Sequence, residues 1–320
     1  MAEELDRLDT EGRLPEAADL DQLTTLEQLE LMGRQDQMAV EAVAAARAQL
    51  ARAVDLAAER LRSGGRLIEL GAGTPGRLAV LDAAECGPTF GVDERVIAVM
   101  AGGSDAVRNA IERNEDDFDL GVADVRNRNL GPDDVVIAVS ASGRTPYVLG
   151  AVEVARESGA LTIAVVNNPG SALASICDVA IEALTGPEII SGSTRLKAGT
   201  AQKLVLNTIS TLVMVRLGRT YGDLMVDVRA SNAKLRRRAQ RMVMEATGAS
   251  EGDVAAALEA AGGEATVALV MLLAEVDADT ARARLAAVYG HVREAAATPR
   301  SASVCAGVDQ RVMGSGREDS

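Results

Sequence analysis

Residues 66–79 read RLIELGAGTPGRLA, a short apolar run followed by closely spaced glycines and then by the start of a helical pattern. Runs of this kind recur along the chain at 95–100 (RVIAVM), 134–139 (DVVIAV), 161–166 (LTIAVV) and 178–182 (DVAIE). Apolar runs bounded by glycines are typical of buried parallel strands that alternate with helices. We therefore predict an α/β fold with a doubly wound, mostly parallel five-stranded sheet.

Helical patterns flank the predicted sheet on both sides. Apolar residues recur at helical spacing from about residue 21 to residue 62, and a long apolar pattern over 194–217 predicts a buried helix. An alanine-rich stretch beyond residue 232 predicts a small C-terminal domain of three or four helices. The predicted organisation is an N-terminal helical segment (1–64), the sheet domain (65–231), a C-terminal helical domain (232–300) and a disordered tail (301–320).

The composition argues against a nucleic-acid partner. The 320-residue chain has a net charge of −14, and aromatic residues make up only 2% of it, with no Trp. A duplex binder gains affinity by neutralising phosphates with a basic surface, and single strands are bound by stacking bases on aromatic rings. Any site for an anion in this chain must therefore be local, formed by a few residues.

Cysteine and histidine usage restricts the compartment and the chemistry. Cys86, Cys177 and Cys305 are odd in number and lack C-x-x-C spacing, which is typical of reduced thiols, so we predict a cytoplasmic protein. The charged N-terminal stretch has no apolar segment, and no run of about 18 apolar residues follows, so no membrane partner is expected. The single histidine, His291, excludes a histidine-rich metal site. We expect neither a metal nor a cofactor.

The first glycine-rich loop, Gly71–Arg77, matches the dinucleotide fingerprint G-x-G-x-x-G. A nicotinamide site also requires an acidic residue at the end of the second strand, where this chain has glycines, and Asp105 comes slightly late. The loop is instead suited to a phosphate at a helix N-terminus. Its candidate binding residues are Gly73, Thr74, Gly76 and Arg77.

A second loop of the same kind, SASGRTP at 140–146, follows the third predicted strand. Hydroxyl groups and backbone amides at such a turn can bind the oxygens of a phosphate monoester. Serine and threonine could also act only as helix N-caps, but two such loops at the carboxyl ends of one sheet favour a sugar phosphate. The candidate binding residues are Ser140, Ser142, Gly143, Arg144 and Thr145.

The pattern S-x-S-G-x-T after a strand resembles the sugar isomerase fold of phosphosugar isomerases and their regulators. Longer strings resemble the N-acetylmuramic acid 6-phosphate etherase family over about residues 20 to 290, and the vertebrate glucokinase regulatory protein is similar in the same segments. The strings are LGAGTPGRLAVLDAAECGPTFGV (70–92), SASGRTPYV (140–148), NNPGS (167–171), TGPEIISGSTRLKAGTAQKLVLNTIST (185–211) and YGDLMVDVRASNAKLR (221–236).

The resemblance implies cleavage of the D-lactyl ether of N-acetylmuramic acid 6-phosphate by elimination and then hydration, as in peptidoglycan recycling. It assigns the general acid to Glu85 and the base at C2 to Glu115, with Glu112 one helical turn before it as the alternative. We expect a raised pKa for Glu85, because its neighbours are apolar or small. Those neighbours are Leu81, Ala83, Ala84 and Pro88.

Further binding residues are predicted in the string 192–203. Ser193, Lys197 and Lys203 are candidates for contacts with the phosphate or the sugar, although Ser193 and Thr194 also fit the N-cap of the long helix. Arg195 belongs to the same run. Any of the three basic residues could instead pair with the acidic surface.

Several positions depart from the family pattern and leave the substrate preference open. The residues that differ are Pro75, Ala84, Gly87 and Asn167. Because Glu85 and Glu115 both remain, an active lyase is favoured over a sugar-phosphate-binding regulator without turnover or a phosphosugar isomerase. Proteins of this fold commonly form dimers in which a site borrows residues from the neighbour, so we expect a homodimer.

Overall fold

A computed structural model describes residues 8–92, 94–226 and 233–297. The strands are β1 (Leu67–Gly71), β2 (Val96–Met100), β3 (Val135–Val139), β4 (Leu161–Val166), β5 (Val179–Glu182), β6 (Thr220–Tyr221) and β7 (Leu224–Met225). The helices up to the end of the sheet are α1 (Thr25–Ala45), α2 (Arg47–Arg62), α3 (Gly73–Phe90), α4 (Gly103–Arg108), α5 (Phe118–Arg126), α6 (Pro146–Glu157) and α7 (Ala172–Ile176). The remaining helices are α8 (Lys197–Arg216), α9 (Ala233–Thr247), α10 (Glu251–Ala260), α11 (Ala265–Ala274), α12 (Ala278–Ala287) and α13 (Val292–Ala297).

The five predicted strands form one sheet in the order β2-β1-β3-β4-β5, and all of its pairings are parallel. The chain first adds β2 on one side of β1 and then continues with β3 on the other side. This reversal creates a crevice at the carboxyl ends of β1 and β3, which is where open α/β sheets bind ligands. The sheet prediction is therefore confirmed, and its topology predicts where a ligand site should lie.

Each face of the sheet packs on a separate apolar core. Leu67, Ile137 and Ile163 point to the face that is covered by α2, α3 and α8, whereas their neighbours in the same strands, such as Ile68 and Val136, point to the face covered by α5 and α6. Side chains alternate along a strand, so the continuous apolar runs follow from burial on both faces. Glu69 is the charged exception in the middle of β1, and it is fully buried.

Both ends of the chain are helical. Residues 9–22 form three short 3-10 turns, and α1 begins after a capping box in which Thr24 and Glu27 satisfy each other's backbone amides. The C-terminal helices number five in the described region, so the expectation of three or four was too low. The chain turns at Gly248, Gly262 and Gly290, where the backbone is left-handed. This region has an apolar core of its own.

Two further features bear on the sequence predictions. The short antiparallel hairpin β6–β7 was not predicted, because two-residue strands leave no periodic pattern. The division into domains stays a prediction, and the tail 301–320 lies outside the described residues. In the described part of the chain no single helix is long and apolar enough to cross a membrane; α10 and α11 pass that test only as a pair with a sharp bend between them.

Candidate functional site

A polar cavity with a volume of about 690 Å³ lies at the carboxyl ends of β1 and β3. This volume is in the range of sites for small molecules. Eight predicted site residues line it: Gly73, Thr74, Arg77, Glu115, Ser140, Ser142, Thr145 and Ser193. We call this cavity the cleft. The reversal in the sheet topology therefore brings together the two loops that were predicted from the sequence to bind phosphate.

The first loop is shaped by close approaches between strand and helix. A Cβ atom on Gly76 would lie 2.7 Å from the backbone oxygen of Gly71, so the turn requires glycine there. The helix α3 begins at Gly73, whose φ is +57°, and Ala72 supplies no side-chain cap. Pro75 therefore occupies the third helical position, where an amide is not needed because the first turn of a helix leaves its amides unpaired. Gly73 and Thr74, at the start of α3, line the cleft.

Arg77 lines the cleft, but its guanidinium group already has partners. Its Nε donates to the backbone oxygen of Val107 at 3.2 Å, and its Nη2 donates to that of Asn109 at 3.0 Å. These bonds tie α3 to the end of α4. In this conformation Arg77 holds α3 and the end of α4 together at the wall of the cleft.

The second loop presents a chain of hydroxyl groups. Ser140 Oγ lies 2.8 Å from Thr145 Oγ1 and 3.4 Å from Ser142 Oγ, and it accepts the amide of Gly143 at 3.0 Å. Thr145 is the N-cap residue of α6, yet its side chain makes no capping bond. The hydroxyl groups are therefore arranged around the cleft and are not used to begin the helix. Gly143 and Arg144 belong to this loop without lining the cleft.

Glu115 reaches the first loop from the segment before α5. A Cβ atom added to Gly73 would lie 2.6 Å from Glu115 Oε1, so the carboxylate is directly beside the start of α3. The backbone of Glu115 is fixed because its oxygen accepts the amide of Tyr147 at 3.1 Å. A carboxylate at this point can reach a ligand that lies between the two loops. The side chain of Glu112, the alternative candidate, lies outside the described residues.

The segment before α8 closes another side of the cleft through Gly192, Ser193, Thr194 and Arg195. The helix itself starts at Lys197, so neither Ser193 nor Thr194 is its N-cap. That role falls to the carboxylate of Glu188, which accepts the backbone amides of Lys197 at 3.2 Å and of Ala198 at 2.9 Å. Ser193 is thereby left at the wall of the cleft.

The two predicted lysines are not brought to the cleft. Lys197 is only 1% exposed, and its Nζ donates to Gln35 Oε1 at 2.6 Å. Burial lowers its pKa, an effect that the nearby carboxylate of Glu188 opposes. Lys203 lies on the exposed side of α8. In the single chain Lys197 therefore joins α8 to α1, and a contact of either lysine with a ligand stays a prediction.

Glu85 lies far from Glu115 within one chain. It is on α3, 12 residues beyond Gly73, which corresponds to about 18 Å along a helix. It lines a second cavity of about 360 Å³ between α3, α8 and the β6–β7 hairpin, together with Asn207 and Asp223. The side chain is exposed, and so are Leu81, Ala84 and Pro88, which were expected to shield it. The apolar surroundings predicted for this carboxyl group are absent in the single chain.

A buried polar cluster lies behind this second cavity. Asp82 is 4% exposed, accepts a hydrogen bond from Asn207 and lies 3.9 Å from the sulfur of Cys86. Burial, and then the charge of Asp82, raise the pKa of Glu69 well above its usual range. Burial is also the main reason why the pKa of the Cys86 thiol rises to about 12. The neutral forms of the Glu69 carboxyl group and of the Cys86 thiol are therefore favoured.

Three charged residues line the cleft in addition to the predicted site residues: Glu11, Asp116 and Arg195. Arg195 was noted as part of the run before α8, and it is exposed at the wall. Glu11 comes from the 3-10 turn Asp9–Glu11, sixty residues before the first loop. No local pattern marks Glu11, because its position depends on a contact between the N-terminal segment and the loops after β4 and β5.

Sequence comparison places the fold and the cleft in a known class of proteins. The SIS domain family matches residues 121–212, and the glucokinase regulatory protein N-terminal SIS domain matches residues 49–156. These two matches include both loops, Glu85 and Glu115. The chain is thus a member of the SIS-domain proteins, in agreement with the sugar isomerase fold expected from its motifs.

Relatives that match over nearly their full length identify the family within this class. The N-acetylmuramic acid 6-phosphate etherase of Rubrobacter xylanophilus is 57% identical over 92% of this chain and 98% of its own length. Those of Streptomyces avermitilis and Deinococcus radiodurans are 53% and 52% identical, over 93% and 89% of this chain and 96% and 94% of their own. The chain belongs to the N-acetylmuramic acid 6-phosphate etherase family.

Proposed function

We propose that this protein cleaves the D-lactyl ether of N-acetylmuramic acid 6-phosphate, giving N-acetylglucosamine 6-phosphate and D-lactate. The proposal rests on one observation: the two glycine-rich loops, 71–77 and 140–146, and the Glu115 carboxylate line the same cleft. Family membership at 47–57% identity supports the same substrate.

The loops bind the phosphate in this proposal. The hydroxyl groups of Ser142 and Thr145 donate to its oxygens, and the first amides of α3, at Gly73 and Thr74, do the same from the other side. The positive end of the helix dipole favours the phosphate charge. Ser193 lies at the opposite wall, where it can contact the sugar. With the phosphate held, the substrate's carbon atoms lie within the same cleft as Glu115.

The reaction then needs one base and one acid. In the open aldehyde form of the sugar, Glu115 removes the proton from C2, and the electron pair of that C–H bond forms the C2–C3 double bond as the C3–O bond breaks. The leaving lactyl oxygen takes a proton from Glu85. Water then adds to C3, and C2 regains a proton, so the net change is hydrolysis of the ether. No electron is transferred, and the steps require neither a metal nor a redox cofactor.

The proposal requires Glu85 to come from a second copy of the chain. Within one chain the helix α3 separates it from the cleft, as described above. The two helices that form the Glu85 cavity, α3 and α8, also carry exposed apolar side chains: Leu81 and Leu212 are each 44% exposed, and Val215 is 40% exposed. A homodimer that covers this face would bury these residues, give Glu85 the apolar surroundings that a general acid needs, and place it at a neighbour's cleft.

The location proposed for this chemistry is the cytoplasm. Cys86 and Cys177 are free thiols in the described part of the chain. Burial is the main cause that raises the pKa of each. Free cysteines are typical of a reducing compartment.

The test is to incubate the protein with N-acetylmuramic acid 6-phosphate and to measure D-lactate. Release of lactate by the wild-type chain supports the proposal, and Glu115→Gln should lower kcat by about 10²- to 10⁴-fold, the usual contribution of a general base. Asp119→Asn, an exposed acidic residue in the first turn of α5, is the matched control. Binding without lactate would favour a regulator, and exchange of the C2 proton without lactate would favour an isomerase.

A further inference from the structure

The N-terminal segment is fastened to the cleft by a buried hydrogen-bonded bridge. Thr10 is fully buried, and its backbone amide donates to Asn168 Oδ1 at 3.3 Å. Asn168 Nδ2 donates in turn to Thr10 Oγ1 and to the backbone oxygen of Ala141, both at 2.9 Å. Ala141 lies within the second phosphate-type loop. The position of the N-terminal segment is therefore tied directly to the loop at 140–146.

A second set of contacts fixes the residue that follows Thr10. Ser191 Oγ is within hydrogen-bonding distance of the backbone oxygens of Glu11 and Gly12, at 3.3 and 3.2 Å. Gly12 also packs against Pro187, since a Cβ atom on this glycine would lie 3.2 Å from the proline ring. The backbone at Glu11 is thus held between the loops after β4 and β5. Such fixation keeps the side chain at one wall of the cleft.

The carboxylate of Glu11 lies at the wall of the cleft, next to the segment that contains Ser193. A Cβ atom on Gly192 would be 3.0 Å from Glu11 Oε2, so the glycine makes room for this oxygen. The side chain is exposed and lines the cleft together with Ser193 and Arg195. A carboxylate accepts hydrogen bonds and donates none, so its partners in a ligand are hydroxyl or amide groups.

We propose that Glu11 is a sugar-recognition residue of the cleft, accepting a hydrogen bond from a hydroxyl or N–H group of the sugar of a sugar-phosphate ligand. The inference rests on the proposed function for the identity of the substrate. Glu11 does not bind the phosphate, because like charges repel and the loops already offer donors for it. For the same reason it faces the neutral part of the sugar and not the lactyl carboxylate.

The experiment compares Glu11→Gln with Asp9→Asn, which removes the same charge from the exposed neighbour in the same 3-10 turn. Dissociation constants are measured for N-acetylglucosamine 6-phosphate and for inorganic phosphate, together with KM, kcat and the thermal midpoint. Glu11→Gln should raise the dissociation constant of the sugar phosphate by about 10- to 100-fold, as expected for the loss of a hydrogen bond to a charged group. Inorganic phosphate should bind as well as before or better, and kcat and the thermal midpoint should stay close to wild type.

Several outcomes would overturn this assignment. An unchanged dissociation constant for the sugar phosphate contradicts it, as does an equal change in Asp9→Asn, which would reveal only a long-range charge effect. A fall in the thermal midpoint together with equal weakening of both ligands would show a structural role. If the wild-type chain binds N-acetylglucosamine 6-phosphate but releases no lactate, the etherase proposal fails. The ratio of the dissociation constants of Glu11→Gln and of the wild type for this sugar phosphate still decides the role of Glu11.

Discussion

The cleft and the cavity beside Glu85 each contain one predicted catalytic carboxylate, but they are built in different ways. The cleft is formed by backbone turns at the carboxyl ends of β1 and β3, and the residues around it are fixed by hydrogen bonds to buried strands and loops. The Glu85 cavity is formed by exposed faces of α3 and α8 and by the β6–β7 hairpin. Its buried side includes Asp82, Cys86 and Ser210, and Glu69 lies behind it.

This difference indicates what each half of the site depends on. The cleft is a product of sheet topology, so a single chain brings its two glycine-rich loops and Glu115 together. The Glu85 face lacks a cover within the described residues of one chain, so under the proposed function its chemistry requires association with a second copy. The two halves should therefore respond differently to mutation, to mixing of subunits and to pH.

The largest effect is expected when two inactive variants are mixed. Glu85→Gln and Glu115→Gln should each lose about 10²- to 10⁴-fold in kcat as homodimers. If a site combines Glu115 of one chain with Glu85 of the other, random exchange gives about half heterodimers with one intact site each, so about a quarter of wild-type activity returns. The measurement is D-lactate release after the two variants are denatured together and refolded.

Mixing each variant with the doubly substituted chain is the control, since no intact site can form there. Lack of recovery in the Glu85→Gln and Glu115→Gln mixture, with heterodimers shown by mass spectrometry, would place both carboxylates of a site on the same chain. The cleft and the Glu85 cavity would then have to be brought together by a conformational change within one subunit.

A smaller effect is expected from the second phosphate loop. Ser142→Ala removes a hydroxyl group that lines the cleft, and the loss of one hydrogen bond to a charged phosphate should raise KM by about 10- to 100-fold. Ser175→Ala is the matched control, because that exposed serine bonds only to the helix in which it lies. Steady-state kinetics decides the result. A loss in kcat alone would contradict a role in ground-state phosphate binding.

The two halves also differ in how far the sequence predicts them. The strands and both loops follow from apolar runs and glycines, and parallel strands bring their carboxyl ends to one edge. Counting residues along α3 would also have placed Glu85 about 18 Å from Gly73. The burial of Lys197 could not be predicted, because its partner Gln35 lies on another helix, 162 positions earlier. Contacts between segments so far apart leave no local pattern.

The next effect concerns the stability of the fold and the carboxyl group of Glu69, which is buried behind the second cavity. Glu69 is fully buried, and neither of its carboxylate oxygens has a hydrogen-bond partner among the described residues. Because its pKa is raised in the folded state, its contribution to stability is complete below the ordinary value of 4.5 and is lost as the pH rises above it. Glu69→Gln should remove this loss and raise the free energy of unfolding at pH 8 by about 1–3 kcal/mol.

Urea denaturation at pH 5 and pH 8 measures the effect, with the exposed Glu59→Gln as control. The advantage of Glu69→Gln over wild type should be larger at pH 8 than at pH 5. An equal difference at both pH values would mean that Glu69 does not hold a proton in the folded state. Either result leaves the cleft unchanged, because Glu69 points to the α3 and α8 side of the sheet.

The smallest effect is expected at Pro75 in the first loop. This loop offers amides at the start of α3, but Pro75 supplies neither an amide nor a hydroxyl group, whereas the second loop carries three hydroxyls. Pro75→Ser restores a donor at the third helical position, next to the cleft, and should lower KM by about two- to fivefold, the value of a weak net hydrogen bond. Pro75→Ala is the matched control, since it also restores the amide and removes the ring. If both variants lower KM equally, the proline ring or its missing amide, and not the absent hydroxyl, limits phosphate binding in the first loop.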